Sequence, residues 1–291
     1  MAILTDIHCH GGGGHAFGDT VEGTLAALAA HRATGTQEIV ASLVSLPLDQ
    51  MRAQVGVLRE VMSLDPSLIG IHLEGPFLAP ARKGAHDPAA LAVPTADMVE
   101  QTLEITDGTL RQITIAPELP GALEAIEAYA KAGVTVAVGH TEADAALARE
   151  AFDAGARLIT HAFNAMRGIV AREVGPAGAA LADDRVFIEV VADGIHVDPQ
   201  LIAALFRATP GRVVLVTDAM AAAASGDGDY RLGSLDVEVR GGKAVLAGTD
   251  TIAGSTLTLT RAIEVCVGAG VDQADARAAA TTVARAALGL D

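Results

Sequence analysis

Leu68-Ile-Gly-Ile-His-Leu-Glu-Gly75 is a short apolar run that stops in a histidine, a glutamate and a glycine. Runs of this length, rich in β-branched residues and bounded by glycine or polar residues, read as buried strands. Taking Leu68 to Leu73 as the third of its kind, seven others read the same way: Ile3 to His8, Glu38 to Val44, Gln112 to Ala116, Val134 to Val138, Arg157 to Thr160, Val186 to Val191 and Val213 to Thr217. Between them lie Ala- and Leu-rich amphipathic segments, at Val21 to Thr34, Gln50 to Leu64, Ala96 to Ile105, Ala122 to Ala132, Ala143 to Ala154 and Pro199 to Ala208. Several of these end in glycine, a helix stop signal. Strand and helix in alternation predict a parallel sheet, and eight repeats predict an α/β fold of the (β/α)8 TIM-barrel type, with residues 1–291 as one domain. A doubly wound sheet would need fewer strands and a G-x-G-x-x-G turn opening the first helix, and that turn is absent. After the eighth strand, Tyr230 to Val239 and Lys243 to Leu246 flank Gly241-Gly242 and read as a β-hairpin, before helical sequence resumes near Ser255. Gly11 to Gly14 reads as a tight, backbone-permissive loop rather than a phosphate cradle.

Bulk composition excludes several classes. Across 291 residues, 51% are hydrophobic and 19% charged, which supports a sizeable core and argues against disorder. A net charge of −16, from 36 acidic and 20 basic residues, disfavours nucleic acid or an anionic membrane as partner. Any anionic substrate must therefore be met by local positive groups. Two cysteines, Cys9 and Cys266, cannot form a disulfide framework. The N-terminus shows no basic segment followed by an apolar stretch, and no long uncharged apolar run suits a membrane span, so a cytoplasmic location is expected.

In barrel enzymes the chemistry stands where the strands stop. Strand one ends in His8-Cys9-His10, strand three in His72-Leu73-Glu74, strand five in Gly139-His140, strand six in Thr160-His161 and strand eight in Thr217-Asp218. In extended backbone His8 and His10 project to one side and Cys9 to the other, so Cys9 is expected in the core. His8, His10, His140 and His161, with Glu74 and Asp218, make one cluster of metal-ligand types at the predicted barrel mouth. Imidazoles and carboxylates without thiolate suit a catalytic divalent ion, with Zn first and Fe or Mn as the other candidates. Such an ion acidifies water and polarises a carbonyl, which leaves a proton shuttle to be supplied, and Asp218 is placed for it. His72 reads either as a partner behind a ligand or as an interior barrel residue. His15, after the glycine loop, and His31, in a helix, are expected on the surface.

His8-Cys-His-Gly-Gly-Gly-Gly14, Gly70-Ile-His-Leu-Glu-Gly-Pro-Phe77, Lys83-Gly-Ala-His-Asp-Pro88, Val138-Gly-His-Thr141, Thr160-His-Ala-Phe-Asn-Ala-Met166, Ala192-Asp-Gly-Ile-His-Val-Asp198 and Val216-Thr-Asp-Ala219 occur in this order. Together they resemble the N-acetylglucosamine-6-phosphate deacetylases of the amidohydrolase superfamily, through nearly the whole chain. The resemblance implies hydrolysis of the acetamide of N-acetylglucosamine 6-phosphate to glucosamine 6-phosphate and acetate. It implies Glu74, His140 and His161 as ligands of the main metal, with His8 and His10 forming a second site that Glu74 bridges. By the same likeness Asp218 activates water and protonates the leaving amine, and His86 hydrogen-bonds the acetyl oxygen. The resemblance further implies that Asn164, the Ala165 backbone, His196 and Arg172 contact the sugar phosphate, the arginine being lent by a neighbouring subunit, so a homodimer is expected. Read without the resemblance, His86 is an ordinary loop residue and Arg172 a solvated surface charge.

Two features depart from the family pattern. The chain begins almost at strand one and stops at Asp291, so the family's small β-sandwich is expected to be absent. The usual Asn-Pro-Ala-Arg near the last helix reads Thr282-Val-Ala-Arg285. Two competing readings are an amidohydrolase acting on a cyclic amide and a non-catalytic remnant that binds metal or sugar phosphate. The former typically bridges two metals with a carboxylated lysine, a position Glu74 fills here, with Lys131 in a helix and Lys243 in the hairpin badly placed to substitute.

Overall fold

The computed structural model describes residues 3–290; Met1, Ala2 and Asp291 of the 1–291 reading lie outside them. Eight parallel strands follow one another in sequence order around a barrel: β1 (Thr5–Cys9), β2 (Glu38–Leu43), β3 (Leu68–Glu74), β4 (Leu110–Ile115), β5 (Thr135–Val138), β6 (Leu158–Ile159), β7 (Phe187–Val191) and β8 (Val213–Val216). The ring closes where Cys9 bridges Ala219, with the Asp218 N–H donating to the His8 carbonyl at 2.8 Å and the His10 N–H to the Ala219 carbonyl at 2.7 Å. Closure is what brings the last strand's aspartate beside the first strand's histidines. β1 and β8 are buried at every residue, as expected of strands covered on both faces.

The outer layer carries α1 (Val21–Ala33), α2 (Leu48–Leu64), α3 (Ala96–Thr106), α4 (Ala122–Lys131), α5 (Ala145–Ala154), α6 (Gly175–Leu181) and α7 (Pro199–Ala208), then α8 (Leu259–Gly268), α9 (Gln273–Ala279) and α10 (Thr282–Ala287). Several of their starts follow capping chemistry. Thr20, Thr95, Asp144, Asp198 and Thr258 each accept a hydrogen bond from a backbone N–H of the first turn. The main apolar core lies between barrel and helices, where Leu28, Met51, Leu58, Tyr129 and Phe152 are fully buried. No helix among the described residues is long and apolar enough to cross a membrane.

Two expectations need correction, and one helix carries no signal in the sequence. The segment expected as one strand from Tyr230 to Val239 is two, β9 (Gly228–Leu232) and β10 (Leu235–Arg240), which with β11 (Lys243–Leu246) form an antiparallel meander. Gly233 takes φ +56°, so the chain reverses one turn earlier than the Gly241-Gly242 signal suggests. α6 escapes the periodicity because Gly175, Pro176 and Gly178 make it a poor helix by composition. His31 is fully buried rather than on the surface. It lies on the inward stripe of α1 with Ala27 and Leu28, and its Nε2 reaches the Gly11 carbonyl at 2.9 Å and Cys9 Sγ at 3.3 Å. A Cβ on Gly12 would come within 2.7 Å of that nitrogen, so the glycine run makes room for the ring. Cys9 is in the core and His15 is exposed, as expected.

The barrel interior beneath the mouth is polar and largely paired. His72 stands between Ser42 Oγ and Thr114 Oγ1, at 2.9 Å from each, which settles its two readings in favour of an interior residue. Thr114 and Thr160 hydroxyls are 2.8 Å apart, and Thr217 Oγ1 donates to Asp6 Oδ2 at 2.6 Å. Pairing of this kind offsets the cost of burying polar groups.

Candidate active site

Five of the strands deliver their terminal side chains to one point. His140 Nδ1 lies 2.8 Å from the Arg82 carbonyl, which can only accept, so the proton sits on Nδ1 and the lone pair of Nε2 points into the barrel mouth. That lone pair meets Glu74 Oε1 at 3.0 Å and His161 Nε2 at 3.0 Å, while His161 Nε2 lies 2.9 Å from the same Glu74 oxygen. A second group shares the carboxylate. His8 Nε2 is 3.2 Å from His10 Nε2, and His10 Nε2 is 3.2 Å from Glu74 Oε2. His10 Nδ1 and His161 Nδ1 are buried with no hydrogen-bond partner among the described residues. Each triad brings its ligand atoms within 4.8 Å of one another. Acceptor atoms crowded this closely repel unless a cation lies among them, so the donor set fits a divalent ion better than a hydrogen-bond network.

The strand ends are shaped to do this. His140, His161, Ala165 and Asp218 all adopt positive φ, at +47°, +26°, +51° and +50°. Non-glycine residues there cost about 1–3 kcal/mol each and persist where the surrounding fold over-determines them. Beside them Gly139 is packed tight: a Cβ would lie 2.6 Å from Thr160 Cβ and 2.9 Å from Thr114 Cγ2. We therefore expect Gly139→Ala to destabilise the fold by about 1–3 kcal/mol through overpacking and to misplace His140. Urea denaturation alongside metal content checks this, and an unchanged midpoint would contradict it.

Asp218 and His86 complete the cluster. Asp218 Oδ1 stands 3.3 Å from His10 Nε2 and 3.5 Å from His8 Nε2. Burial would raise its pKa, but the hydrogen bond from His10 and the field of His8 hold it below the ordinary carboxylate range. Glu74 is likewise held well below its usual value by His8, His86 and His140 against its burial. His86 Nδ1 accepts the Ser45 N–H at 3.1 Å, so its Nε2 carries the proton and faces Glu74 Oε2 at 3.2 Å. Burial pushes its pKa down to about 4, so the ring is a neutral donor.

These residues floor a cavity of about 430 Å³. His10, Glu74, His86, His140, His161, Asn164, Ala165, His196 and Asp218 line it, whereas His8 lies beneath, fully buried. His196 Nδ1 is bonded to Asp193 at 2.7 Å, which raises the imidazole pKa despite burial. Arg172 is not brought in. It sits on an exposed loop, lining a separate pocket with Arg149 and Arg167. Several contributors escape the sequence reading: Arg82 and Glu189, and on the far wall Leu232, Asp250 and Ile252 from the meander and the loop after it. Glu189 carried a signal, a charged residue within a buried strand, but its partners are distant in sequence. The lysine alternative finds no support. Lys131 pairs with Glu127 along α4, and Lys243 is exposed on β11.

Known proteins similar to this chain share one family. The sequence profile of the Amidohydrolase family matches residues 2–291. The N-acetylgalactosamine-6-phosphate deacetylase of Escherichia coli O157:H7 is 36% identical over 98% of this chain and 77% of its own length. The N-acetylglucosamine-6-phosphate deacetylase of Vibrio furnissii is 35% identical over 91% of this chain and 67% of its own. Among solved structures, a mutant N-acetyl-D-glucosamine-6-phosphate deacetylase of Mycobacterium smegmatis, in complex with N-acetyl-D-glucosamine-6-phosphate, superposes with a TM-score of 0.93 at 44% identity. That superposition covers 99% of this chain and 77% of the other. The chain thus spans about two thirds to three quarters of these relatives. On the strength of the profile, the identities and the shared barrel, the chain belongs to the amidohydrolase family, among its N-acetylated amino-sugar 6-phosphate deacetylases.

Proposed function

We propose that this protein hydrolyses the acetamide of N-acetylglucosamine 6-phosphate, releasing glucosamine 6-phosphate and acetate. The observation that carries the reading is the crowding of imidazole nitrogens and carboxylate oxygens around Glu74, with Asp218 on the rim of the same cavity. Glu74, His140 and His161 would hold one divalent ion, and His8 and His10, with Glu74 between, a second. Zinc is the first candidate, iron and manganese the others; when bound, such an ion supplies Lewis acidity and an acidified water.

The chain's own groups then have separable tasks. Asp218 takes a proton from the water whose oxygen adds to the acetyl carbon. It returns that proton to the amide nitrogen as the carbon–nitrogen bond breaks, leaving acetate and a free amine. His86, its Nε2–H set by the Ser45 N–H on the opposite nitrogen, donates toward the acetyl oxygen as negative charge develops. Asn164, the Ala165 N–H and His196 bind the sugar phosphate from the cavity wall. His196 is suited to a phosphate because Asp193 favours its protonated form. Arg172 reaches the phosphate from a second copy of the chain, in a homodimer. Its exposed position outside its own cavity fits that role. An Arg172→Ala variant should raise the apparent Michaelis constant about tenfold or more at nearly constant kcat, since a hydrogen bond to a charged group is worth roughly 1.5–3 kcal/mol. Unchanged kinetics would remove Arg172 from the phosphate site.

The deciding experiment follows amine release from N-acetylglucosamine 6-phosphate by metal-stripped protein, before and after addition of Zn, Fe or Mn. Turnover restored by metal is expected. Metal uptake without turnover would reject this substrate and leave the cyclic-amide and remnant readings.

A further inference from the structure

Glu189 is used by none of the steps above, yet it is fully buried in the middle of β7 with its carboxylate inside the barrel. Three donors from three other strands or strand ends converge on it. His8 Nδ1 lies 3.1 Å from Oε2, the His161 backbone N–H donates to Oε2 at 3.1 Å, and Gln112 Nε2 donates to Oε1 at 2.7 Å. The Glu189 carbonyl in turn accepts the Ala162 N–H at 2.8 Å, so the corner that carries His161 is tied to β7 twice.

This placement has a specific chemical consequence. A carboxylate oxygen at His8 Nδ1 fixes the proton on that nitrogen, so the lone pair of Nε2 faces His10 and Glu74. The same oxygen holds the backbone of His161, which sits at φ +26° and is the ligand type of the other triad. Among the described residues Glu189 is thus the carboxylate that touches a member of each triad without belonging to either: the ring of His8 in one and the backbone of His161 in the other.

We infer that Glu189 is a positioning residue for a second metal site, presenting the His8 imidazole to a divalent ion shared with His10 and Glu74. The inference rests on the metal-dependent deacetylase reading. Its nearest isostere is structurally tolerable: Gln112 Oε1 is buried with no hydrogen-bond partner, so the Gln112 amide can turn over and accept from a new N–H at position 189. Glu189→Gln therefore removes the charge behind His8 while keeping the packing.

The test is a zinc titration of metal-stripped wild-type protein and of Glu189→Gln against a chromophoric chelator, with thermal melting alongside. Wild-type protein is expected to take up two zinc ions per chain. The variant should melt normally and keep one site unchanged, while the other loses affinity about 10–100-fold, the usual cost of removing a partner behind a metal-bound histidine. A merely structural role would lower the melting temperature and weaken both sites together, which would overturn the inference. Equal affinities at both sites would overturn it as well, and so would a wild-type chain that holds one zinc ion. Two sites in wild-type protein without amine release from N-acetylglucosamine 6-phosphate would instead reject the substrate and leave the role of Glu189 standing. Should the variant not fold, 15N spectra of zinc-loaded wild-type protein read the ring directly, with His8 assigned by its loss in His8→Gln. A proton on Nδ1 is expected, and a proton on Nε2 would overturn the inference.

Discussion

Asp218→Asn should retain metal and lose nearly all turnover. Glu74, His140 and His161 form their triad without Asp218, so at least that site survives the change. The amide has nearly the same shape but cannot take a proton from water or return it to the leaving nitrogen. General acid–base catalysis contributes about 10²–10⁴-fold, and here one group performs both transfers, so a fall in kcat toward the upper end is expected. Substrate affinity should change little, because the sugar-phosphate contacts lie elsewhere on the cavity wall. Steady-state kinetics with metal analysis of the same sample decide the matter. An active variant would sink the shuttle, and loss of metal together with turnover would make Asp218 a ligand instead.

Glu74→Gln should be more damaging to the metal centre than any single histidine substitution. One carboxylate serves both groups: Oε1 faces His140 and His161, and Oε2 faces His10. The amide keeps one acceptor and replaces the other with a donor, and its charge no longer offsets that of a cation. Affinity should therefore fall at both sites, by more than the roughly 10–100-fold that loss of an outer partner costs, and activity should fall to background. Metal content after dialysis reads this directly. A variant that keeps full metal content would remove Glu74 from the centre. Each histidine, by contrast, belongs to one triad, so His10→Ala should leave the Glu74, His140 and His161 group able to bind.

Much of the barrel was legible because its signals are local. Each apolar run ends within two or three residues of the observed strand, and several helix starts coincide with Thr and Asp caps that act over three residues. The metal-ligand residue types were legible for the same reason: each stands at the end of a strand, His8 and His10 together at the first. The exceptions are instructive. His31 looked like a surface residue because a histidine in an Ala-rich helix gives no local sign that it will meet Cys9 and the glycine run. The turn at Gly233 was hidden behind the stronger Gly-Gly pair eight residues later. Glu189 shows in the sequence only as a charge within a buried strand, and its role stays hidden because its donors come from residues 8, 112 and 161.

By itself the sequence determined the order and type of the elements, the closed count of eight and the residues able to bind metal, since these follow from periodicity, capping and side-chain chemistry along a few neighbours. Only the tertiary structure decided which lone pairs meet, that His86 carries its proton on Nε2, that Glu74 is shared by two groups, and that Arg172 stands outside the cavity of its own chain. Those outcomes depend on barrel closure, which joins Asp218 to His8 across more than two hundred residues of chain and sets distances of about 3 Å that no local pattern encodes.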